Sequence, residues 1–147
     1  MSLKFRNLDV DPADPVETWG FEGLLTAVER GDFLDWRRIA QALRRDPRGK
    51  VASEVREVLD SVENPAMVNL FGDILRDAAA AKESEERREV AQELQRALEA
   101  SGLTRAEFAS RLGTSQSRLS TYLSGKVVPA ATVLIRARRL AEGRPKL

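Results

Sequence analysis

The chain contains no histidine and no cysteine among its 147 residues. Their absence excludes thiol nucleophiles, Ser–His–Asp and Cys–His catalysis, disulfide bonds, and metal sites built from Cys and His ligands. Aromatic residues make up only 5% of the chain, whereas 42% of it is hydrophobic and 32% is charged. Because strands are enriched in aromatic and β-branched residues, this composition indicates an all-α fold built on Leu, Ala, Val and Arg.

Long apolar runs are also lacking. No stretch reaches the roughly 18 uninterrupted apolar residues of a membrane span, and residues 1–11 hold no apolar run of the length found in a secretion signal. We therefore expect a cytoplasmic protein that does not enter the membrane. No nucleophile–base pair and no cluster of metal ligands is evident, so we predict no enzymatic activity, no bound metal and no cofactor.

The net charge of +1 conceals a strong asymmetry along the chain. Residues 1–100 carry 15 Lys and Arg against 21 Asp and Glu, a net charge of −6. Residues 101–147 carry 9 basic against 2 acidic residues, a net charge of +7. This pattern indicates a basic module that meets a polyanion, attached to an acidic module that does not.

The first part of the chain divides into an arm and a helical module. Residues 1–20 contain Pro12, Pro15 and several acids but no helical period, so they are predicted to form an extended arm. Residues 21–81 are predicted to form a small helical bundle that serves in dimerisation or partner binding. Its apolar residues repeat at helical spacing in four stripes: Phe21-Leu24-Leu25-Val28, Trp36-Ile39-Ala40-Leu43, Val51-Val55-Val58-Leu59-Val62 and Met67-Leu70-Phe71-Ile74-Ala78.

Two short sequence signals mark where helices begin. Asp32 is suited to cap the helix that carries the second stripe, and Asn64-Pro65 marks another helix start. From Pro65 to Ser101 the residues are strong helix formers. The alternatives are one long helix or a break near Ser84; the long helix, with a kink allowed there, is favoured.

The segment after Ser101 has the local signals of two helices joined by a tight turn. Thr104 followed by Glu107 forms a capping box, and Ala106, Phe108, Ala109 and Leu112 are predicted to form the inner face of the first helix. Gly113 ends that helix, and Thr114 or Ser115 caps the next one. Two helices joined by a short turn that contains Gly form a helix-turn-helix.

The second of these helices has an unusual composition. Leu119, Tyr122 and Leu123 form a narrow apolar side, and no acid occurs among the remaining polar residues: Gln116, Ser117, Arg118, Ser120, Thr121 and Ser124. A helix in the DNA major groove must offer hydrogen-bonding groups to base edges without repelling phosphates, and Gln pairs with adenine bidentately. The composition therefore predicts a recognition helix over Gln116–Ser124.

The stretch LTRAEFASRLGTSQSRLSTYLSGKVVP resembles the helix-turn-helix domain of the Xre/Cro repressor family. The resemblance covers about residues 86–141 and implies a five-helix, lambda-repressor-like domain within residues 82–147, which end in a basic tail. Its first helix would span Glu86–Ala100, and its fourth would begin near Pro129.

The resemblance also implies roles for individual residues. Contacts to bases fall to Gln116, Ser117 and Thr121, with Arg118 and Ser120 as secondary contacts. Contacts to phosphates fall to Arg105 and Ser115, and Lys126 lies near the DNA backbone. Leu119 and Tyr122 take core positions. Leu123 departs from the family, many members of which have Glu or another polar residue there, and is interpreted as a contact with the N-terminal module or a partner.

These observations predict a sequence-specific, DNA-binding transcriptional regulator, most simply a repressor, whose partner is double-stranded DNA. A homodimer is expected, because one recognition helix reads only a few base pairs. The alternative is an antitoxin that neutralises a toxin and represses its own operon. Two roles remain open for the basic helix Ile135–Leu140: contacts to phosphates, or a solubilising surface whose arginines pair with acids of the N-terminal module.

Overall fold

The computed structural model describes residues 3–6 and 8–143, and the regular structure of this part is entirely helical. This confirms the predicted all-α class. Within the same residues, no helix is both long enough and apolar enough to cross a membrane. A single 3₁₀ turn at Val16–Thr18 precedes the α-helices, which are α1 (Gly20–Arg30), α2 (Phe33–Arg45), α3 (Lys50–Leu59), α4 (Pro65–Ser101), α5 (Arg105–Leu112), α6 (Gln116–Leu123) and α7 (Ala131–Glu142).

The chain forms two compact units that divide after Lys82. In the first unit, α1, α2, α3 and the first part of α4 enclose a continuous apolar core. Its largest fully buried side chains are Trp19, Leu24, Val28, Ile39, Leu43, Val55, Val58 and Phe71. Most of them belong to the predicted stripes, because helical spacing places such residues on one face that must be removed from water.

The arm that precedes α1 has little regular structure but packs onto the first unit. The indole N–H of Trp19 donates to the carbonyl of Asp14 at 3.0 Å, and the ring of Phe5 meets that of Trp19 edge-on at 5.3 Å. Arg38 donates to the same Asp14 carbonyl at 2.8 Å and lies over the Trp19 ring at 4.9 Å. α1 already begins at Gly20, the last residue assigned to the arm from the sequence.

Polar caps fix where α2 and α4 begin. The side chain of Asp32 accepts from the N–H groups of Leu34 and Asp35 at 3.0 and 3.2 Å, which confirms its predicted cap. The side chain of Asn64 accepts from the N–H of Ala66 at 3.0 Å, directly before Pro65 opens α4. Each bond satisfies an N–H group that has no partner within the helix.

α4 is one continuous helix of 37 residues, so the break considered near Ser84 does not occur. Its predicted stripe was wrong at one position: Leu70 is 41% exposed, whereas Leu75 is buried. Phe71 and Ala78 are buried as expected. Helical spacing allows two neighbouring apolar stripes on α4, one that includes Leu70 and one that includes Leu75. Only the packing of α4 against the rest of the first unit decides which stripe is buried.

The second unit consists of the last turns of α4 together with α5, α6 and α7. Within the described residues it contains four helices, and the fourth begins at Ala131, which confirms its predicted start near Pro129. A fifth helix, which the family resemblance implies, is not among them, so the five-helix arrangement is not confirmed. Ala106, predicted to lie inside, is exposed on α5. The core is formed by Leu94, Leu98, Phe108, Ala109, Leu112, Leu119, Tyr122 and Val133, together with smaller residues.

Candidate nucleic-acid interface

A reciprocal pair of hydrogen bonds starts the first helix of the candidate interface. The hydroxyl oxygen of Thr104 accepts from the N–H of Glu107 at 3.2 Å. The Glu107 carboxylate accepts from the Thr104 N–H at 3.4 Å and from its hydroxyl at 2.9 Å. This confirms the predicted capping box and sets the start of α5 at Arg105.

The turn between α5 and α6 depends on a left-handed glycine. Gly113 has φ +79°, a backbone conformation that residues with a Cβ rarely adopt. Its N–H donates to the Ser110 carbonyl at 3.1 Å, and the next N–H, of Thr114, donates to the Ala109 carbonyl at 2.9 Å. These two bonds form a Schellman motif, which ends α5 and turns the chain sharply.

Ser115 then caps α6. Its hydroxyl oxygen accepts from the N–H of Arg118 at 3.1 Å, so of the two predicted candidates Ser115, and not Thr114, is the cap. Only residues 113–115 separate α5 from α6. The two helices therefore form the predicted helix-turn-helix.

The inner side of α6 anchors the helix to its own unit. Leu119 and Tyr122 are 1% and 8% exposed, as their predicted core positions require. Leu123 is half-buried and packs against the same core cluster. This packing explains why an apolar residue stands at this position, and the predicted contact of Leu123 with the N-terminal module or a partner stays a prediction.

The opposite side of α6 is a polar surface without carboxylates. Helical spacing places five residues on this side, and we call them the polar face: Gln116, Ser117, Ser120, Thr121 and Ser124. Four of them are exposed and Thr121 is half-buried. The Thr121 hydroxyl donates to the carbonyl three residues earlier in the helix at 2.6 Å, which leaves its oxygen free to accept.

A second left-handed glycine ends α6. Gly125 has φ +79°, and its N–H donates to the Tyr122 carbonyl at 3.2 Å. The N–H of Lys126 donates to the Thr121 carbonyl at 3.1 Å, which completes another Schellman motif. The exposed side chain of Lys126 thus follows directly on the end of the polar face.

The local charge around α6 is positive. Arg105, Arg118 and Lys126 are exposed, and within residues 8–143 none of them has a carboxylate at ion-pair distance. The one acid in α5 and α6, Glu107, is engaged in the capping box. Such a surface attracts an anion such as the DNA backbone.

All eight residues predicted to contact DNA lie in the segment from Arg105 to Lys126, and seven of them are exposed, Thr121 being half-buried. They are Arg105, Ser115, Gln116, Ser117, Arg118, Ser120, Thr121 and Lys126. The structure thus presents them on α5, on α6 and at the two ends of α6.

Two of the three arginines in α7 have structural partners. Arg136 donates to the carbonyl of Leu112 at 3.0 Å. This bond gives a partner to a carbonyl at the C-terminal end of α5 that has none within the helix. Arg138 donates to the Glu93 carboxylate at 2.6 Å, and this hydrogen bond raises the pKa of Arg138. Glu93 belongs to the second unit, so this arginine pairs with its own unit and not with the N-terminal module. Arg139 is exposed and has no ion-pair partner among the residues described.

Comparison with known proteins identifies the same segment. Residues 89–143 match a family model described as a helix-turn-helix domain. No curated protein and no solved structure matches the chain. The second unit therefore contains a helix-turn-helix domain of the DNA-binding kind, and the match does not single out the Xre/Cro family within it.

Proposed function

We propose that the protein is a sequence-specific transcriptional regulator, a repressor of the Xre/Cro type, that inserts α6 into the DNA major groove. The observation that carries this proposal is the polar face. It combines exposed amide and hydroxyl groups with the absence of any carboxylate, on the helix that follows a helix-turn-helix turn. A base edge in the groove requires hydrogen-bonding groups, and the flanking phosphates would repel acids.

Three side chains of the polar face read bases in this proposal. Gln116, at the first position of α6, offers both a donor and an acceptor and so suits adenine. Ser117 lies beside it and addresses several edges. Because the Thr121 hydroxyl hydrogen is already donated within α6, its oxygen accepts from an exocyclic amino group of adenine or cytosine. Ser120 adds a secondary contact.

Contacts to phosphates come from residues around the ends of α5 and α6. Arg105 opens α5, and Lys126 follows α6 after the Gly125 turn. The Ser115 oxygen accepts from the Arg118 N–H, so its hydroxyl hydrogen is available to a phosphate oxygen. The exposed guanidinium of Arg118 contacts DNA at the edge of the polar face. These phosphate contacts fix the position of α6 along the DNA, while the polar face supplies the sequence specificity.

The regulator acts as a homodimer on two half-sites. One short recognition helix contacts only a few base pairs, which gives too little specificity for a single operator. Selection of binding sites from random DNA, followed by footprinting on the promoter of its own gene, tests the proposal. We expect one enriched sequence with two related half-sites and protection of a matching promoter segment. Retention of random DNA without any enriched sequence would contradict sequence-specific regulation.

A second candidate function is that of an antitoxin that also represses its own operon. It is favoured by one observation in the first unit: Phe33 and Leu34, adjacent at the start of α2, are 69% and 64% exposed. Exposed apolar residues of this size mark surfaces that bind other proteins. Co-expression with the product of a neighbouring gene tests this candidate, and a stable complex that relieves growth arrest would support it.

A further inference from the structure

An apolar groove lies between α2 and α4 within the first unit. It has a volume of about 310 Å³, and its apolar lining consists of Phe33, Trp36, Ala40, Leu70 and Ile74. Phe33 is 69% and Leu70 41% exposed, so a large part of this lining faces water. Burying such side chains contributes about 25 cal/mol per Å², which makes an uncovered groove of this kind a favourable place for a partner to dock.

The two edges of the groove carry opposite charges. On the α2 side, Arg37 and Arg44 line the groove and are exposed. On the α4 side, helical spacing places the exposed Asp73 and Asp77 next to Leu70, away from the core. Asp73 pairs with Arg76 on its own helix. Among the residues that the structure describes, Arg37, Arg44 and Asp77 have no ion-pair partner.

We infer that a second copy of this chain docks on the groove, with the two-fold axis running along it. When two identical faces meet about such an axis, α2 of one copy lies against α4 of the other. Arg37 and Arg44 then face the acidic edge of the partner, and the same pairing is repeated on the other side. An axis running across the groove would instead set α2 against α2, with arginines facing arginines. Complementary charge therefore selects the first arrangement.

This inference rests on the proposed function in one respect: it names the surface through which the proposed homodimer forms. It places the contact in the acidic first unit, in α2 and the first turns of α4. Dimer formation on this surface does not require DNA, so its test is separate from that of the polar face.

The first experiment is sedimentation equilibrium of the full chain without DNA, comparing the wild type with Phe33→Asp. Phe33 is too exposed to matter for the core, so the variant should keep its helical circular dichroism. We expect a wild-type dimer and an increase of at least about tenfold in its dissociation constant in the variant. Leu34→Asp is the matched control, since Leu34 is similarly exposed but does not line the groove, and its dimer should be unchanged.

The second experiment exchanges charges across the proposed contact. Arg37→Glu/Arg44→Glu and Asp73→Arg/Asp77→Arg should each weaken the dimer, and the chain carrying all four substitutions should regain it. A wild type that stays monomeric at 100 micromolar, or charge variants that do not rescue each other, would overturn the inference. So would a monomer that takes up another protein through Phe33, which would assign the groove to a different partner.

Discussion

Replacing Gly113 by alanine should destabilise the helix-turn-helix unit. The φ of +79° at this position costs a residue with a Cβ about 1–2 kcal/mol. Alanine regains about 0.4–1 kcal/mol by restricting the unfolded chain. A Cβ there would also lie 3.3 Å from the Nη1 atom of Arg136, the atom that donates to the Leu112 carbonyl. The net loss should be about 1 kcal/mol, or about 4–8 °C in melting temperature if the small unit unfolds by itself.

Gly72→Ala is the matched control for this substitution. Gly72 lies inside α4 without a positive φ, and the nearest atom to a Cβ there would be Nη1 of Arg76 at an ordinary 3.6 Å. Alanine should therefore stabilise α4 by about 0.5–1 kcal/mol. The same chemical change should thus have opposite signs at the two glycines.

Hydrogen exchange of main-chain amides, together with thermal unfolding, measures both effects in the full chain. In Gly113→Ala the protected amides of α5 and α6 should exchange about fivefold faster, since 1.4 kcal/mol corresponds to a factor of ten. Equal or greater protection in Gly113→Ala would contradict this prediction, because the turn would then not require a left-handed residue.

Three further predictions concern single side chains. Thr104→Ala should cost about 1 kcal/mol of unfolding free energy by removing the α5 cap, as measured by urea denaturation. If about four phosphates are contacted, the logarithm of the binding constant should fall with the logarithm of salt concentration with a slope of about −3.6, and Lys126→Ala should reduce that slope by about 0.9. Arg45→Gln should raise the lowered pKa of Glu17 toward its ordinary value in an NMR titration, because the Arg45 hydrogen bond at 2.8 Å is the main cause of the shift. The Arg45–Glu17 pair stabilises the fold at pH values above the ordinary pKa of Glu17, and this contribution is lost as the pH falls through the lowered pKa. Because the pair is exposed, its contribution to the free energy of unfolding should stay below about 1 kcal/mol.

The features that could be predicted from the sequence are local ones. The Thr104–Glu107 capping box, the Gly113 turn and the Ser115 cap each depend on residues within a few positions of one another. Their hydrogen bonds form wherever the helices form, so the pattern alone is sufficient. The same holds for the opening of α4 after Asn64.

The features that escaped prediction depend on contacts between distant parts of the chain. Arg136 reaches Leu112 across 24 positions, and the partner of Arg138 lies 45 positions away. No local pattern marks either pair. The packing of Leu123 on the core of its own unit is likewise visible only once that unit is assembled.

The composition of α6 predicted a polar, acid-free helix side, and the structure exposes most of that side. The assignment of individual side chains to bases or phosphates stays a prediction, since each role depends on where α6 lies against the DNA. The charged edges beside the groove were not anticipated, because they become visible only once α2 and the first turns of α4 are packed side by side.

The role of the polar face is tested by comparing the wild type with a Gln116→Ala/Thr121→Ala variant in their binding to the selected operator and to a scrambled duplex, at one salt concentration. Ser110→Ala, an exposed change on α5, serves as the control. We predict that the double variant loses about 1–3 kcal/mol of preference for the operator per base contact removed, while its binding to the scrambled duplex is unchanged. Undiminished preference for the operator would contradict the claim that the polar face of α6 reads DNA sequence.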